Sequence, residues 1–409
     1  MKQLTAYKFR IYPDAGQERL FRRTAGCCRF IYNLCLEQRK MAWNRLNPTG
    51  LSAVDQNKEL GVLKEVAPFL KEVPHHCLQQ AVIDLQKAYV NFFKGRAAYP
   101  KPRKKFENES FRFPDPKQIF VRDDAIFLPK AKWVKMVMHR PIIGTIKNAT
   151  VSTSGDHWYV AIQVEQEVDE PVVGPMVERS MDLGVVKPIC MDDGEVFDLP
   201  RMSDKEKKKE ATLQQRIARR KKGSKNQLKA KRDYRRFKAK IARRRKDQKH
   251  KATTKIADSC NVLYMERLKV KNLTASARGT VEEPGKNVAQ KAGSNRSMLD
   301  VSPGETKMYL EYKLRRRGGI IVYVNPAYTS QRCSVCGHVD ASNRPERDVF
   351  SCVSCGHAAC ADHNAARNIL ELGRKVLTTE GPSGLACGSN RVSGRKQELS
   401  GRSKAAIAA

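Results

Sequence analysis

The chain has 409 residues, 40% of them hydrophobic, and carries 78 Lys and Arg against 43 Asp and Glu, a formal charge of +35 at pH 7. That length makes a globular protein of two or three domains, and the charge far exceeds what solubility requires, which points to a polyanionic partner, nucleic acid first. The start, MKQLTAYKFRIYPDAG, lacks the apolar core of a signal peptide and no 18 apolar residues run together, which excludes a membrane-spanning helix; the 12 cysteines are expected in a reducing cytosol, where regular spacing means metal rather than disulfides.

In chain order, TAYKFRIYP alternates Tyr7, Phe9 and Ile11 with Lys8 and Arg10, the period of a strand with one buried and one basic face, and Pro13 ends it. Asp14 then offers an N-cap with Gln17 as its capping-box partner. The helix it opens places Leu20, Phe21, Thr24, Cys28, Ile31 and Cys35 at helical spacing, so Cys27 and Cys28 read as packing residues. CLQQAVIDLQKAYVNFFKG predicts a second helix with Leu78, Val82, Leu85, Tyr89 and Phe92 on one face and a stop at Gly95. A basic loop, YPKPRKKFE, follows. From Ile119 to Val168 the signals turn to strands: AIFLP, WVKMVMH, ATVSTSG and HWYVAIQVEQEV. The first part therefore reads as a small β-barrel-like domain interrupted by a helical insertion, with the acidic, Pro-rich segment 168–178 as a linker.

The second part opens on RSMDLGVVKPICMDDGEVFDL. Met181 to Leu183 and Val185 to Met191 read as a buried hairpin arm, and Asp193-Gly194 as a two-residue turn. Asp182 is the anomaly, because a carboxylate in an apolar strand must be paired or must hold a cation; taken alone, DLG is weak evidence and reads more readily as a turn or edge aspartate. Residues 203–251 carry 23 Lys or Arg against 5 Asp or Glu, a net +18, more than half the charge of the chain. Solvated helix faces interleave both signs, and this segment does not. Leu213, Ile217, Leu228, Phe237 and Ile241 form a sparse apolar stripe broken at KKGSKN, which predicts two antiparallel helices joined at Gly223 and stabilised by a polyanion. CNVLYMERLKVKNL then gives a buried strand, Val262 to Met265, ending in Glu266; alone, that acid fits a solvent-facing strand end as well as a site. VSPGETKMYLEYKLRRRGGIIVYVNP reads as a helix, a Gly-Gly stop and a strand, giving the second part α/β character.

Cys333 and Cys336 form one CxxC, Cys352 and Cys355 another, with 15 residues between the pairs, the C-x2-C-x15-C-x2-C spacing of a zinc site. Each pair lets two thiolates reach one tetrahedral ion from a tight knuckle, with Gly337 and Gly356 supplying backbone freedom. Cys360, His357 and His363 are then spare and read as packing groups.

Together AYKFRIYPDAGQERLFRRTAGCCRFIYN, MDLGVVK, MERLKVKNL, YTSQRCSVCGH and FSCVSCGHAACADHNAARNIL, in this order, resemble the TnpB family of transposon-encoded, RNA-guided DNA endonucleases, relatives of the type V CRISPR effectors. The resemblance implies a multidomain α+β fold: a wedge-type β-barrel with a helical recognition insertion, then an α/β RNase H-like (RuvC) domain holding a zinc-ribbon insertion. On that plan residues 1–15 are the first barrel strand, 16–98 the recognition insertion and 99–170 the rest of the barrel. Residues 171–328 form the nuclease domain with its basic helical insertion at 203–251, 329–358 the ribbon, 359–377 the last nuclease segment and 378–409 a disordered basic tail.

The resemblance also implies that Asp182, Glu266 and Asp362 are the catalytic acids, holding two Mg²⁺ or Mn²⁺ ions for phosphodiester hydrolysis, and that Cys333, Cys336, Cys352 and Cys355 hold one structural Zn²⁺. Its partners are a guide RNA, which reads sequence, and a double-stranded DNA target, with no membrane. A monomeric ribonucleoprotein in the prokaryotic cytoplasm, on the nucleoid, is expected. Candidate nucleic-acid contacts are Lys101, Arg103, Lys104, Arg219, Arg220, Lys221, Arg235, Arg236, Arg243 and Arg244, with His75 and Gln79 placed to read the motif beside the target. Ser180 stands where the family commonly has Gly, and Pro303 where it commonly has Trp. Two other functions remain open at this point: a nuclease-inactive, RNA-guided DNA-binding repressor, and a guide-free transposase or resolvase.

Overall fold

This computed structural model describes residues 2–43, 50–106, 109–171 and 174–386. The chain divides into two units, residues 1–169 with 208–240, and residues 170–207 with 241–409. No described helix is long and apolar enough to cross a membrane.

In the first unit, β1 (Lys2–Tyr12) buries Tyr7, Phe9 and Ile11 on one face, as its alternation requires. The helix α1 (Ala15–Ala42) starts with both halves of the capping box: Asp14 Oδ1 accepts from Gln17 N at 2.8 Å, and Gln17 Oε1 accepts from Asp14 N at 3.1 Å. The Gln17 amide also donates to the carbonyls of Ala131 and Trp133, tying the helix start to the sheet. Helices α2 (Ala53–Val66) and α3 (His75–Phe93) follow, and Gly95, at φ +66°, turns the chain after α3.

The remaining strands are β2 (Ser110–Phe113), β3 (Phe120–Val121), β4 (Ala125–Leu128), β5 (Lys132–Val137), β6 (Thr145–Ser154) and β7 (His157–Glu167). They form an antiparallel sheet in the order β2-β6-β7-β1-β5-β4-β3, with no ladder joining β2 to β3 among the described residues. Sheet and helices share one apolar core, in which Phe9, Phe21, Ile31, Leu78, Val134 and Val160 are all buried.

The second unit is built on β8 (Glu178–Asp182), β9 (Ile189–Met191) and β10 (Val196–Phe197). The hairpin is shorter than its sequence suggests. Residues 183–188 form a tight loop, because a Cβ at Gly184 would lie 2.7 Å from the Lys187 carbonyl, and Arg201 caps the carbonyls of Val185 and Val186. Asp193-Gly194 makes the expected turn after Met191, between β9 and β10. The basic segment forms α4 (Asp204–Ala218) and α5 (Lys225–Ser259), turned at Gly223 with φ +82°. The two run antiparallel, as the pairs Glu210–Lys238, Arg216–Asp233 and Glu206–Arg244 show. Leu228, expected on the apolar stripe, is exposed.

Next come β11 (Val262–Glu266), the short α6 (Val270–Leu273), α7 (Val288–Val301), α8 (Pro303–Arg316) and β12 (Ile320–Val324). Strand β11 is parallel to both β8 and β12, and β9 is antiparallel to β8, giving the order β10-β9-β8-β11-β12. Because β11 is apolar from Val262 to Met265, both faces of this sheet are covered. Leu263 and Met265 pack with Ile256 of α5 and with Leu310 and Leu314 of α8 on one side. Val262 and Tyr264 face α9 (Ala361–Ala386) on the other, with Ile369 and Leu377. That approach needs Gly373 on α9, since a Cβ there would collide with the Tyr264 ring.

Two short strands, β13 (Val349–Ser351) and β14 (Ala358–Cys360), form an antiparallel pair on either side of the second cysteine knuckle, and β14 leads into α9. Contrary to the expectation of a disordered tail from residue 378, α9 continues unbroken to Ala386, and the hydroxyls of Thr378 and Thr379 back-bond to the carbonyls of Arg374 and Lys375. Residues 387–409 lie outside the described residues.

Candidate active site and metal centre

The parallel pairing of β8 with β11 puts Met181 beside Met265, so Asp182 and Glu266 end two adjacent strands on the same edge of the sheet. Asp362 sits in the first turn of α9, the helix packed on those strands. All three acids line one cavity of about 260 Å³, with Gly184, Val185, Pro326, Thr329, Ser330, Arg344, Arg347 and Asp348 in its wall. Burial, then the charges of Glu266 and Asp362, push Asp182 up to about 7, against the Leu183 N–H and Arg344, which act to lower it. Burial also raises Glu266, while the Thr329 hydroxyl, donating to its Oε1 at 2.5 Å, favours the charged form. The cavity thus concentrates negative charge where water screens it poorly, and a hard cation would relieve that repulsion.

Two buried asparagines position the site from α9. Asn368 Nδ2 donates to the carbonyls of Thr329 (2.9 Å) and Arg332 (2.6 Å), and Asn364 Nδ2 to Arg332 at 2.7 Å, while Asn364 Oδ1 accepts from Ser334 N at 3.0 Å. One helix therefore carries Asp362 and clamps the connection from β12 to the first knuckle. Ser180 is fully buried, and its hydroxyl donates to the Ala366 carbonyl at 2.6 Å, joining β8 to α9. Pro303 is buried at the first turn of α8, after Ser302 in the left-handed region.

Sequence reasoning missed Asn364, Asn368, Thr329, Arg344 and Arg347. The i, i+4 asparagines in NAARN were a usable signal, since amides on one helix face suit bonding to an adjacent loop. The two arginines gave none, being two among 78 basic residues.

The four thiols form the one set of at least three candidate metal ligands whose donor atoms all lie within 4.8 Å of one another among the described residues. Sγ of Cys333 is 3.7 Å from that of Cys355, and Sγ of Cys336 is 3.6 Å from that of Cys352. The two knuckles share one backbone pattern: Gly337 N donates to Cys333 O and Cys333 N to His338 O, as Gly356 N does to Cys352 O and Cys352 N to His357 O. Gly337 and Gly356 have φ +78° and +70°. The N–H groups of Cys355 and Ser354 bring the Cys352 thiol down to about 6. Cys360 stands outside the set, its sulfur bonded by Lys187 Nζ at 2.8 Å; His363 bonds the Asp192 carbonyl, and the His357 ring lies against Phe350.

The structure separates the candidate nucleic-acid contacts into two groups. Arg103 bonds Asp84 and stacks its guanidinium 4.0 Å over the Tyr32 ring, Arg236 pairs with Asp156, and Arg244 with Glu206. Lys101, Lys104, Arg219, Arg220, Lys221, Arg235 and Arg243 are exposed and have no acidic partner among the described residues. His75 and Gln79 lie one turn apart at the start of α3, His75 bonded to Lys64 and Gln79 to His76.

Three family models match the chain: a helix-turn-helix domain over residues 1–47, a probable transposase over 161–277 and a Cas12f1-like TNB domain over 304–369. The described part of residues 1–47 is one strand and one long helix, not two helices joined by a turn. The chain is 41% identical over 405 residues to "Putative RNA-guided DNA endonuclease InsQ" of Escherichia coli (strain K12), covering 97% of this chain and 98% of that protein. It is 29% identical over 405 residues to "Putative RNA-guided DNA endonuclease" of Streptomyces pristinaespiralis, covering 97% and 94%. Among solved structures, a Cas12f1–sgRNA–target DNA complex aligns at 14% identity and a TM-score of 0.49, over 90% of this chain and 98% of that one.

Proposed function

The chain belongs to the TnpB family of transposon-encoded, RNA-guided DNA endonucleases, and from that premise we propose that it cuts double-stranded DNA beside a short target-adjacent motif, with Asp182, Glu266 and Asp362 as its catalytic acids. The observation that carries this reading is that three acids distant in sequence line one cavity, where burial and then their mutual repulsion raise Asp182. Their hard oxygens fit Mg²⁺ or Mn²⁺. A pair of such ions supplies an activated water and stabilises the leaving oxygen in phosphodiester hydrolysis.

The protein's own groups orient these acids and meet the substrate. Thr329 fixes one oxygen of Glu266, and Ser180 ties the strand of Asp182 to the helix of Asp362. Arg344 and Arg347, in the same wall, would pair with oxygens of the scissile phosphate as charge builds on them. The four clustered thiols fit one structural Zn²⁺ and fill its tetrahedral set. The two units correspond in this reading to a wedge-type barrel with its helical insertion and to a RuvC-type nuclease holding the ribbon. The unpaired cations at Lys101, Lys104, Arg219, Arg220, Lys221, Arg235 and Arg243 would bind guide RNA or heteroduplex through its backbone, and His75 and Gln79 would read the motif, in a monomeric cytoplasmic ribonucleoprotein.

The test is plasmid cleavage by the purified ribonucleoprotein. Asp182→Ala or Glu266→Ala should lower cutting by roughly a thousandfold or more while guide-directed binding is kept. A variant that cuts at the normal rate would reject the assignment of the acids. Wild-type protein that cuts without RNA would make it a guide-free transposase or resolvase, and one that binds but never cuts, an RNA-guided repressor.

A further inference from the structure

Between β12 and the first cysteine knuckle, Pro326, Thr329 and Ser330 all line the acidic cavity. Within this run Tyr328 has φ +63°, the left-handed region that a large L side chain rarely enters. The residue is 67% exposed, and its hydroxyl has no partner among the described residues. The residue is mostly exposed and its ring makes no aromatic or cation–π contact among the described residues, so burial does not account for an aromatic here, and Gly or Asn would fit the backbone better.

The backbone around it is nevertheless held firmly. The Tyr328 carbonyl accepts from Gln331 N and Arg332 N, both at 3.0 Å. The next residue, Thr329, is bonded through its hydroxyl to Glu266 and through its carbonyl to Asn368 of α9. Tyr328 is thus one residue from a group bonded both to one candidate catalytic acid and to the helix carrying another. Strain of this kind persists only where surrounding interactions enforce it, and it gathers at functional sites.

Resting on the nuclease reading above, we propose that Tyr328 is a stacking platform: its ring packs against a nucleobase next to the scissile phosphate and fixes the register of the DNA strand entering the cavity. A stacked ring suits this task because every base offers a π-face, so the interaction ignores base identity, as an enzyme that takes its sequence from a guide requires. Arg344 and Arg347 hold phosphate oxygens without fixing which phosphate lies over the acids; a base on Tyr328 fixes it.

The experiment is single-turnover cleavage by guide-loaded protein carrying Tyr328→Phe, Tyr328→Trp, Tyr328→Ala or Tyr328→Gly, with thermal stability and guide-directed DNA binding measured in parallel. Phe and Trp should cut within about threefold of wild type, whereas Ala and Gly should cut roughly 10- to 100-fold more slowly with binding unchanged. Gly relieves the backbone, so its slow cutting at undiminished stability separates the absence of stacking from damaged folding. An abasic residue at one position beside the cut should slow the wild type and leave the Ala variant no slower than it already is. Cutting by Ala or Gly at the wild-type rate overturns the proposal, as does a Phe variant as slow as Ala or an abasic effect equal in both proteins. These outcomes are read against a wild type that cuts with its guide; failure of that wild-type cleavage would overturn the nuclease reading itself.

Discussion

Ser180 shows how a single departure from a family pattern can be built into a site. The sequence marks it only as a serine where glycine is common; in the fold its hydroxyl donates to the carbonyl of Ala366, four residues after Asp362. Ser180→Ala should lower stability by about 1 kcal/mol, the net worth of one buried hydrogen bond. Ser180→Gly should cost about as much again through backbone entropy in a strand. Both should slow cleavage severalfold rather than abolish it, because no acid is removed. Chemical denaturation beside single-turnover cleavage checks this; a Ser180→Ala protein of unchanged stability would mean that the bond contributes nothing. Asp182 and Glu266 stand out in the sequence as carboxylates beside apolar strand residues, each open to a turn or strand-end reading, and Asp362 is singled out by the resemblance alone; local pattern does not show that they meet. That Asp182 and Glu266 end adjacent parallel strands depends on pairing between segments far apart in the chain, which local pattern does not encode.

At the scale of elements, α5 and α8 meet around a buried lysine. Lys313 Nζ donates to the His250 carbonyl at 2.6 Å and to the hydroxyls of Thr253 and Thr254 at 2.7 Å, beside the Lys249–Glu305 pair. Burial first, then the charge of Arg317, bring it down to about 8, against Asp258. Below pH 8 the amine is protonated in folded and unfolded chains alike. From there to the unfolded value of about 10.4, the unfolded chain holds the proton that the folded one has released, so this group makes stability rise with pH. Comparing wild type with Lys313→Met by urea unfolding from about pH 7.5 to about pH 10 should show the wild type gaining on the variant, by no more than about 3 kcal/mol. A constant difference would show that Lys313 stays charged in the fold. None of this was visible in VSPGETKMYLEYKLRRR, where Lys313 is one basic residue among several. Legibility followed the range of the interaction: the capping box of Asp14 and Gln17 and both cysteine knuckles depend on residues within a few positions and were read correctly. The short hairpin after Asp182 depends on Arg201 reaching back to the loop, and α7 buries little beyond Val301, so neither left a clear periodic signal.

At the scale of the whole molecule, the excess of positive charge is distributed unevenly in function. Within the basic segment, Arg216, Lys238, Arg244, Lys249 and Lys251 each have an acidic partner, and Arg236 pairs with Asp156. Arg219, Arg220 and Lys221, in the turn after α4, have none among the described residues. A cation already paired gives up an internal partner to bind a phosphate, whereas an unpaired one only releases counterions. Replacing Arg219, Arg220 and Lys221 together by Ala should therefore reduce the slope of log affinity against log salt for guide RNA by roughly 2, about 0.7 for each phosphate of a single strand that is no longer neutralised. Replacing Arg236 and Arg244 by Ala should change that slope less. Fluorescence anisotropy of labelled guide RNA across a KCl series measures both. An equal change in the two variants would mean that the internal pairs open on binding. No change from the triple variant would mean that the turn at Gly223, however basic, is not where the phosphates lie.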